Sequence, residues 1–511
     1  MRRALRPSLA LAIAAALAAC SVDVEGARCS LVGSTTECPS GQRCGTGLTC
    51  SVRAASCEPC VVGATSCRAG VTCSVVECTA DGDAACGTWK VAGPGAVSLQ
   101  TCQIPLGGVT QECACLSHVV DPAGGTCKYA SIASAIAAAT RFDAPKVVLG
   151  GAAFTYGNAI DDAAPIVIPA GVTLTGDDAA TAAATNRLIA VQGPGPEGLR
   201  VQAGASVRGV AVQRGVSASN ELTIGVLLAG GAAAGGNTLV SVRVDAGGAG
   251  GGFATGLRVA GANAVAVSDV LVQGATVAGL EVNRLGAGDV VLVDQSVFDG
   301  NQVGVSLLRG DLTLSGSSVK RSAWEGVVAA TGTPGQTSLA LVDDVIAWNG
   351  RGGVRLSVND ALNFTGTRIC GNTGYDRTFS GITRTVGGLY VSGNPPASAL
   401  GFTGNLIHGN EGDQVYVGAA SSPWELSGAP ACTASSRNVF AGYTAPGVGV
   451  AAVGASVAAR FNSWGETFPL AGTDFYYPPA SPGGSVDAGT GSGATDFCAV
   501  ALPADLNCPA P

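Results

Sequence analysis

One stretch of the sequence decides the fold: Ile166-Val167-Ile168-Pro169-Ala170-Gly171-Val172-Thr173-Leu174-Thr175-Gly176. Two short runs of β-branched and aliphatic residues flank a turn of Pro, Ala and Gly, so the stretch predicts two short strands. Upstream, residues 129–139 are rich in alanine, and Ile132 and Ile136 are four apart, which predicts a short amphipathic helix. Between them, Lys146-Val147-Val148-Leu149 predicts a further strand.

Downstream, the sequence repeats with an unequal period. Each repeat is marked by a glycine followed by an aliphatic residue: Gly225-Val226, Gly256-Leu257, Gly279-Leu280, Gly304-Val305, Gly326-Val327, Gly353-Val354 and Gly388-Leu389. Most intervals are in the twenties, and the longest separates Gly353 from Gly388. Such a period with loop insertions is typical of one coil of a β-helix, whereas leucine-rich repeats need a leucine framework and propeller blades are longer.

Inside each repeat a short alternating strand ends at a turn, and an asparagine beside a glycine follows six or seven residues later. The predicted turn residues are Asp294, Gly316, Asp343, Gly366 and Gly404, since Asp and Gly both tolerate unusual backbone angles. The asparagines are Asn301, Asn349, Asn372 and Asn410. We expect these asparagines to stack at one corner and to form hydrogen bonds along the solenoid.

The order of helix, Val-Val-Leu strand and Ile-Pro-x-Gly-Val-x-Leu-x-Gly resembles the entry into pectin-lyase-like β-helices. The resemblance covers about two thirds of the chain. It implies an all-β, single-stranded right-handed parallel β-helix over residues 128–480, with the helix capping its open end and asparagine ladders as in the pectate lyase fold. Residues 481–511 are predicted to be a flexible linker and a small terminal loop closed by Cys498 and Cys508.

Residues 1–19 read as an export signal. Arg2, Arg3 and Arg6 precede an apolar run too short to span a bilayer. Leu17-Ala18-Ala19-Cys20 resembles a lipobox, which implies that the mature chain begins at an acylated Cys20 and binds the membrane through its lipid. A plain secretory signal cleaved within residues 17–19 is the alternative. Ser21 follows rather than Asp, so we expect an outer-membrane lipoprotein at the cell surface.

The chain has 19 cysteines, and their distribution is uneven. With Cys20 assigned to lipid, the cysteines up to Cys127 and those from Cys370 onwards are each even in number. An exported chain also meets an oxidising environment, where disulfides form. We therefore expect a disulfide-stabilised region over residues 20–127, with further bridges later, and the connectivity stays open. The predicted disulfide-forming residues are Cys29, Cys38, Cys44, Cys50, Cys57, Cys60, Cys67, Cys73, Cys78, Cys86, Cys102, Cys113, Cys115, Cys127, Cys370, Cys432, Cys498 and Cys508.

A metal site is the alternative for some of these thiols. Cys57-Glu58-Pro59-Cys60 and Cys113-Ala114-Cys115 have suitable spacings, but His118 is the only imidazole nearby, so the ligands would be nearly all thiolates. The formal net charge of -8 argues against nucleic acid as a partner, because phosphate binding needs a basic surface.

Asp343 and Asp344 are the candidate catalytic pair, because pectin-lyase-like hydrolases activate water with paired aspartates. Arg351, Arg355 and His408 follow on the same and later coils. The Gly-His-Gly and Arg-x-Lys motifs of polygalacturonases do not occur, and the position of Asp343 also fits an ordinary turn.

Two further sites are predicted from the repeat. Asp269 and Asp294 each precede a repeat marker by ten residues and could share a Ca²⁺ ion, or be solvated turn carboxylates. Trp324 and Trp348 lie on neighbouring coils and could stack against sugar rings, or pack in loops.

Three functions fit these patterns. The first is a non-catalytic envelope lipoprotein whose β-helix binds glycan or another envelope component. The second is a polysaccharide lyase or glycoside hydrolase of the pectin-lyase-like class, and the third is a purely structural or adhesive surface protein. The oligomeric state does not follow from the sequence.

Overall fold

The computed structural model describes short strands between residues 42 and 103, residues 112–121 and 127–141, and most of residues 146–464. Its gaps there are 151–164, 177–186, 193–194, 216–217, 219, 231–235, 248–250, 262–263, 284–289, 331–336, 358–361, 380, 395–400, 419, 421–422, 428–432, 434–436, 444–445, 454 and 461. Beyond residue 464 it describes 475–476, 485–487 and 508–510. The predicted lipidation site Cys20 and the signal segment lie outside the described residues.

In the amino-terminal unit, Met1–Ser117 with Arg141–Asp143, the described strands pair antiparallel. Five of them form a sheet in the order Gln42–Cys44, Cys50–Val52, Thr88–Val91, Val75–Thr79 and Thr65–Cys67. Gln100–Gln103 pairs separately with Glu112–Cys115. The register places Cys44 opposite Cys50 and Cys102 opposite Cys113. Cys115 and Cys127 each take part in a disulfide, and the pairing of the cysteines before residue 128 stays open.

The second unit, His118–Thr140 with Ala144–Pro511, is a right-handed parallel β-helix, so the predicted fold is confirmed. Each coil contributes one strand to each of three parallel sheets, which we name A, B and C in the order in which a coil visits them. The unit begins at His118, ahead of the predicted boundary at residue 128. Among the described residues, no helix is long and apolar enough to cross a membrane.

The strands stack in register along each sheet. Sheet A contains Ile166–Ile168, Glu197–Val201, Ile224–Ala229, Thr255–Ala260, Ala278–Asn283, the first half of Val303–Ser315, Val327–Ala330, Val354–Ser357, Ile382–Ser392, Asp413–Gly418, Val450–Val453 and Phe475–Tyr476. Sheet B contains Lys128–Tyr129, His118–Val120, Lys146–Leu149, Thr173–Thr175, Ser206–Arg208, Asn237–Val240, Val265–Ser268, Val290–Asp294, the second half of Val303–Ser315, Thr337–Val342, Leu362–Thr365 and Gly401–Thr403.

Sheet C contains Arg187–Val191, Val210–Arg214, Arg243–Asp245, Leu271–Gln273, Val297–Asp299, Ser318–Lys320, Val345–Ala347, Arg368–Cys370, Leu406–His408 and Val439–Ala441. After the last strand of sheet B, a small parallel sheet is formed by Trp424–Glu425, Ser456–Ala458 and Ser485–Asp487. One antiparallel strand, Tyr375–Phe379, pairs with Ile382–Ser392 of sheet A and makes a hairpin.

The predicted helix α1 spans Ile132–Ala139 and closes the first coil. Ser131 caps it, since its Oγ accepts a hydrogen bond from the Ser134 backbone N–H while the Ser134 hydroxyl bonds back to Ser131. Its buried face, which includes Ile132 and Ile136, joins the same core as Val120 and the first strands. The cap keeps the end of the apolar core out of water.

The core is aliphatic because the inward residues of each sheet stack directly upon one another. One column in sheet B is buried throughout: Val207, Leu239, Val267, Val293, Leu314, Leu341, Phe364 and Phe402. A single coil could not remove this surface from water, so the coils stabilise one another by stacking.

Each repeat marker has glycine for a steric reason, because there is no room for a Cβ at that position. At Gly304 an added Cβ would come within 2.6 Å of the Gly326 carbonyl oxygen and 2.2 Å of Val319 Cγ1. The marker position therefore faces inward, where sheets A and C approach closely, and the aliphatic residue after it belongs to the core.

We expect Gly304→Ala to lower the free energy of unfolding by about 3 kcal/mol, because the backbone must shift to relieve this overlap. Gly247→Ala is the matched control, since its nearest neighbouring atom would be 3.8 Å away. Urea denaturation of both variants measures the difference. Equal stability of the two would contradict the steric explanation.

The turns between sheets B and C form a column with positive φ. It consists of Gly209, Ser241, Asp269, Gln295, Gly316, Asp343, Gly366 and Gly404, with φ between 47° and 70°. The prediction is confirmed for Gly316, Asp343, Gly366 and Gly404. It is wrong for Asp294, because that strand is one residue longer: Asp294 pairs with Ser315, and Gln295 takes the turn.

The predicted asparagine ladder is confirmed at the corner between sheets C and A. Asn372 Oδ1 accepts hydrogen bonds from the backbone N–H and Nδ2 of Asn349, both at 2.9 Å. Asn410 Oδ1 accepts the same pair from Asn372, at 3.0 and 2.8 Å. Asn301 Oδ1 accepts from the Ala275 backbone N–H. All four asparagines are buried.

A second ladder, which the sequence analysis missed, lies at the corner between sheets B and C. Its members are Ser296, Ser317, Asp344, Thr367, Asn405, Asn438 and Asn462. Each of them except Thr367 accepts a hydrogen bond from a backbone N–H of the preceding coil. Thr367 donates its backbone N–H to Asn405 Oδ1 and its hydroxyl to the Thr365 carbonyl oxygen. The residue type varies along the column, which conceals the repeat from a search for one amino acid.

The chain returns to the middle of sheet C at its carboxyl end. Cys508 forms a disulfide with Cys370, 138 residues earlier, and Trp348 Nε1 donates to the Pro509 carbonyl oxygen at 2.7 Å. The predicted terminal loop between Cys498 and Cys508 is therefore wrong, because Cys508 has a different partner. We name this contact of residues 508–510 with sheet C the terminal clasp.

Candidate functional site

The hairpin of Tyr375–Phe379 and Ile382–Ser392 adds a strand and a second apolar cluster to the surface of the β-helix. Its second strand belongs to sheet A, where Arg355, Tyr390 and Tyr416 stand in register on successive coils. A second apolar cluster forms here, separate from the main core. Its members are Val386, Tyr416, Val448, Ala451 and Val453, with Phe379, Ile382, Tyr390 and Tyr476 packed against them.

Two arginines opposite each other in the hairpin connect it to the neighbouring coils. Arg377 and Arg384 are cross-strand partners. Arg377 Nη2 donates to Glu325 Oε1 at 2.7 Å, and its guanidinium lies 4.8 Å from the Tyr390 ring centroid. Because Glu325 is buried and 52 residues away, this ion pair fixes one side of the hairpin.

Arg384 makes the corresponding contact on the other side. Its Nε and Nη2 donate to the two oxygens of Asp413, a bidentate pair with a fully buried carboxylate. The guanidinium also lies 4.2 Å from the Tyr476 ring centroid. Burial raises the pKa of Asp413 above its ordinary value, and the Arg384 guanidinium opposes that shift. Burial also raises the pKa of Tyr416 to about 12.

An arginine–aromatic cluster extends from the hairpin across the coils before it. We define it as Trp324, Arg351, Arg355, Tyr375, Arg377 and Tyr390. The guanidinium of Arg351 lies 4.6 Å from the Trp324 ring centroid and 5.3 Å from that of Tyr375. Trp324 and Tyr375 are 38% and 43% exposed. Stacked cations and half-exposed rings make a flat surface that offers both positive charge and π-faces.

A pocket of about 530 Å³ opens beside the hairpin. It is lined by Asp376, Thr383, Arg384, Thr385, Glu411, Gly412, Asp413, Pro446 and Gly447. We name it the hairpin pocket. The buried Asp413 and Arg384 pair is part of its wall, whereas Asp376 and Glu411 are exposed.

The structure places the candidate catalytic pair in a turn. Asp343 has φ 56°, and Asp344 is only 1% exposed. Asp344 Oδ1 accepts from the Ser317 backbone N–H at 2.7 Å and Oδ2 from that of Val342 at 2.9 Å. Burial raises the pKa of Asp344 to about 7. Asp344 is thus a member of the second ladder, and a catalytic role for the pair stays a prediction.

The two aspartates predicted to share Ca²⁺ lie on neighbouring coils, where the Asp269 backbone N–H donates to the Asp294 carbonyl oxygen at 3.1 Å. Asp269 Oδ2 accepts from the Ser241 hydroxyl at 2.6 Å, while Asp294 ends its strand one position earlier in register. Among the described residues, no three His, Cys, Asp or Glu side chains come together to hold a metal ion. Ca²⁺ binding by Asp269 and Asp294 stays a prediction.

The two tryptophans proposed for sugar stacking have different surroundings. Trp324 belongs to the arginine–aromatic cluster, but Trp348 belongs to the terminal clasp, where its ring lies against Gly371. His408, which accompanies the candidate catalytic pair in the sequence, is buried beside Cys370 on sheet C.

Two features of the sequence indicate the hairpin. The interval between Gly353 and Gly388 is the longest between repeat markers, which indicates an insertion. Within it, residues 375–386 alternate around Gly381 and predict a hairpin. The partners Glu325 and Asp413 could not be found this way, because pattern does not specify contacts between distant coils.

Comparison with known proteins supplies structures alone, since no family model and no curated protein matches the sequence. The A-module of the Azotobacter vinelandii mannuronan C-5 epimerase AlgE6 is 13% identical with a TM-score of 0.47, over 76% of this chain and 97% of that one. The catalytic unit of the GH87 α-1,3-glucanase from Streptomyces thermodiastaticus strain HF3-3 is 14% identical with a TM-score of 0.32, over 74% and 73%. Likenesses of this size concern the fold and do not say what this chain binds.

Proposed function

We propose that this protein is a non-catalytic envelope lipoprotein, anchored through Cys20, that binds acidic glycan with the arginine–aromatic cluster. The observation that supports glycan binding is the contact of Arg351 with both Trp324 and Tyr375 on an open surface. Aromatic faces suit the apolar faces of sugar rings, and guanidinium groups suit carboxylates.

The charge balance of the surface favours an acidic ligand. Arg351, Arg355 and Arg377 are opposed there by Glu325, which is 2.7 Å from Arg377 and 3.8 Å from Arg355. Within the part of the chain that the structure describes, Arg351 has no ion-pair partner, so its charge is available to a ligand. The cluster is locally positive on a chain whose net charge is -8.

The buried position of Asp344 also supports binding rather than turnover. Both of its oxygens already accept backbone hydrogen bonds, and it is not open to a glycosidic bond. A lyase or hydrolase remains the alternative function, and a purely structural or adhesive role is the third.

The test compares binding of polygalacturonate and of a neutral glucan of equal length to the full chain, by calorimetry. We expect polygalacturonate to bind, and we expect this binding to weaken at high salt because exposed charges are screened. Trp324→Ala and Arg351→Ala should each weaken it about tenfold, since such anchors contribute 1 to 2 kcal/mol. Arg309→Ala, an exposed arginine on the strand Val303–Ser315, is the control.

Four results would overturn the proposal. Equal binding of the neutral glucan would remove the role of charge, and unchanged binding by the two cluster variants would place the site elsewhere. Release of unsaturated products or new reducing ends would make the protein an enzyme. Absence of binding to either polymer would favour the structural or adhesive role.

A further inference from the structure

The hairpin pocket has polar walls that are unlike the arginine–aromatic cluster. Its side chains include three carboxylates, Asp376, Glu411 and Asp413, against the one guanidinium of Arg384. Because Arg384 is paired with Asp413, the charge left at the opening is that of Asp376 and Glu411. Coulomb repulsion disfavours an anionic ligand there.

The hydrogen-bond donors of the pocket are mostly used within the protein. The Thr385 hydroxyl donates to Asp376 Oδ1 at 2.6 Å, and Thr383 shares its hydroxyl hydrogen bond with Thr378. Arg384 directs Nε and Nη2 to Asp413 and Nη2 also to the Pro446 carbonyl oxygen, which leaves Nη1.

The acceptors keep most of their capacity. Glu411 accepts one described hydrogen bond, from the Gly374 backbone N–H at 2.9 Å, and Asp376 accepts the one from Thr385. An ionised carboxylate has about four acceptor positions. A ligand that fits the pocket must therefore supply donors and must not bring negative charge.

The size of the pocket sets the scale of the ligand. About 530 Å³ lies within the range of sites that enclose small organic molecules. Gly412 and Gly447 line one side, and an added Cβ at Gly447 would come within 2.3 Å of the Gly412 carbonyl oxygen. These two backbones are in close contact, so the wall that they form is closely packed.

We propose that the hairpin pocket binds an amino sugar with a free ammonium group, with Asp376 and Glu411 accepting hydrogen bonds from its ammonium and hydroxyl groups. A hexosamine supplies donors in several directions and the positive charge that the opening favours. This inference does not depend on acidic glycan binding by the arginine–aromatic cluster, because the two surfaces use different residues.

The test is calorimetric titration of the full chain with the trisaccharide of glucosamine at about pH 6, where the amines of the trisaccharide are protonated. The N-acetylated trisaccharide is the matched ligand, since it has the same ring and lacks the charge. We expect the free amine to bind at least about tenfold more tightly. The double variant Asp376→Asn with Glu411→Gln should remove this preference, and Asp311→Asn, on a strand of sheet B, should keep it.

Each other outcome overturns the inference. Equal affinity for both trisaccharides would exclude recognition of the ammonium group, and no binding of either would exclude an amino sugar. Retained preference in the double variant would place the site elsewhere. The double variant should still bind polygalacturonate as the natural chain does, so failure of this inference is distinguishable from failure of the proposed function.

Discussion

Cys508→Ser is expected to lower the free energy of unfolding of the β-helix unit by about 5 kcal/mol. The disulfide with Cys370 closes a segment of 138 residues, and in the chain-entropy account the loss grows with the logarithm of that length. Cys370 is fully buried under the terminal clasp, so its release also exposes part of sheet C. Thermal and urea unfolding, with and without reductant, measure the effect.

Two controls make this result specific. Reductant should lower the free energy of unfolding of the natural chain. It should lower that of the Cys508→Ser variant less, because the bridge is already absent there. Trp348→Phe removes the hydrogen bond to Pro509 but leaves the disulfide, and should cost only about 1 kcal/mol. A Cys508→Ser variant as stable as the natural chain would contradict a stabilising role for the bridge.

Asp344→Asn is expected to raise stability at pH 8 by about 3 kcal/mol and to lower it at pH 4 by about 1 kcal/mol. Burial raises the pKa of Asp344 from 3.8 to about 7, so between these values the native state holds a proton that the unfolded chain has lost. Stability therefore falls as pH rises through this window, by about 4 kcal/mol in all. Loss of the hydrogen bond from Val342 offsets about 1 kcal/mol of the gain.

Asparagine fits this position because the same ladder already uses it. Asn405 Oδ1 accepts from the Thr367 backbone N–H, and Nδ2 donates to the Phe364 carbonyl oxygen of the preceding coil. Asp343→Asn is the matched control, since Asp343 lies at the turn and its charge is not buried in the ladder. Urea unfolding at pH 4 and pH 8 distinguishes the two variants. A natural chain with equal stability at both values would refute the assignment.

The fold could be predicted because the residues that determine it recur in successive coils. The seven repeat markers carry glycine where an added Cβ would overlap neighbouring atoms, so Gly304 and its equivalents appear at a readable interval. The coil after the last marker has Gln414 at this position. The ladder of Asn349, Asn372 and Asn410 was predictable for the same reason. The second ladder was not, because Ser, Asp, Thr and Asn can all accept the same backbone hydrogen bond.

The candidate site could be predicted only in fragments. Trp324 was selected as a surface aromatic, but its contact with Arg351 depends on how two coils stack. The pairing of Arg377 with Glu325 joins residues 52 apart across an insertion. The bond of Cys508 to Cys370 is likewise a matter of tertiary geometry, which cysteine spacing does not determine.

The asparagine ladders also bear on how the chain folds as a ribosome makes it. Among the described residues, hydrogen bonds from one asparagine amide to another on the next coil lie in the segment from Asn349 to Asn462. The earlier coils are joined by hydrogen bonds between side chain and backbone, from the amides of Asn237 and Asn301 and to the hydroxyls of Ser296 and Ser317. The coils that are joined by amide-to-amide hydrogen bonds are thus synthesised late. The amide-to-amide part of the ladders can therefore form only after most of the chain has been synthesised.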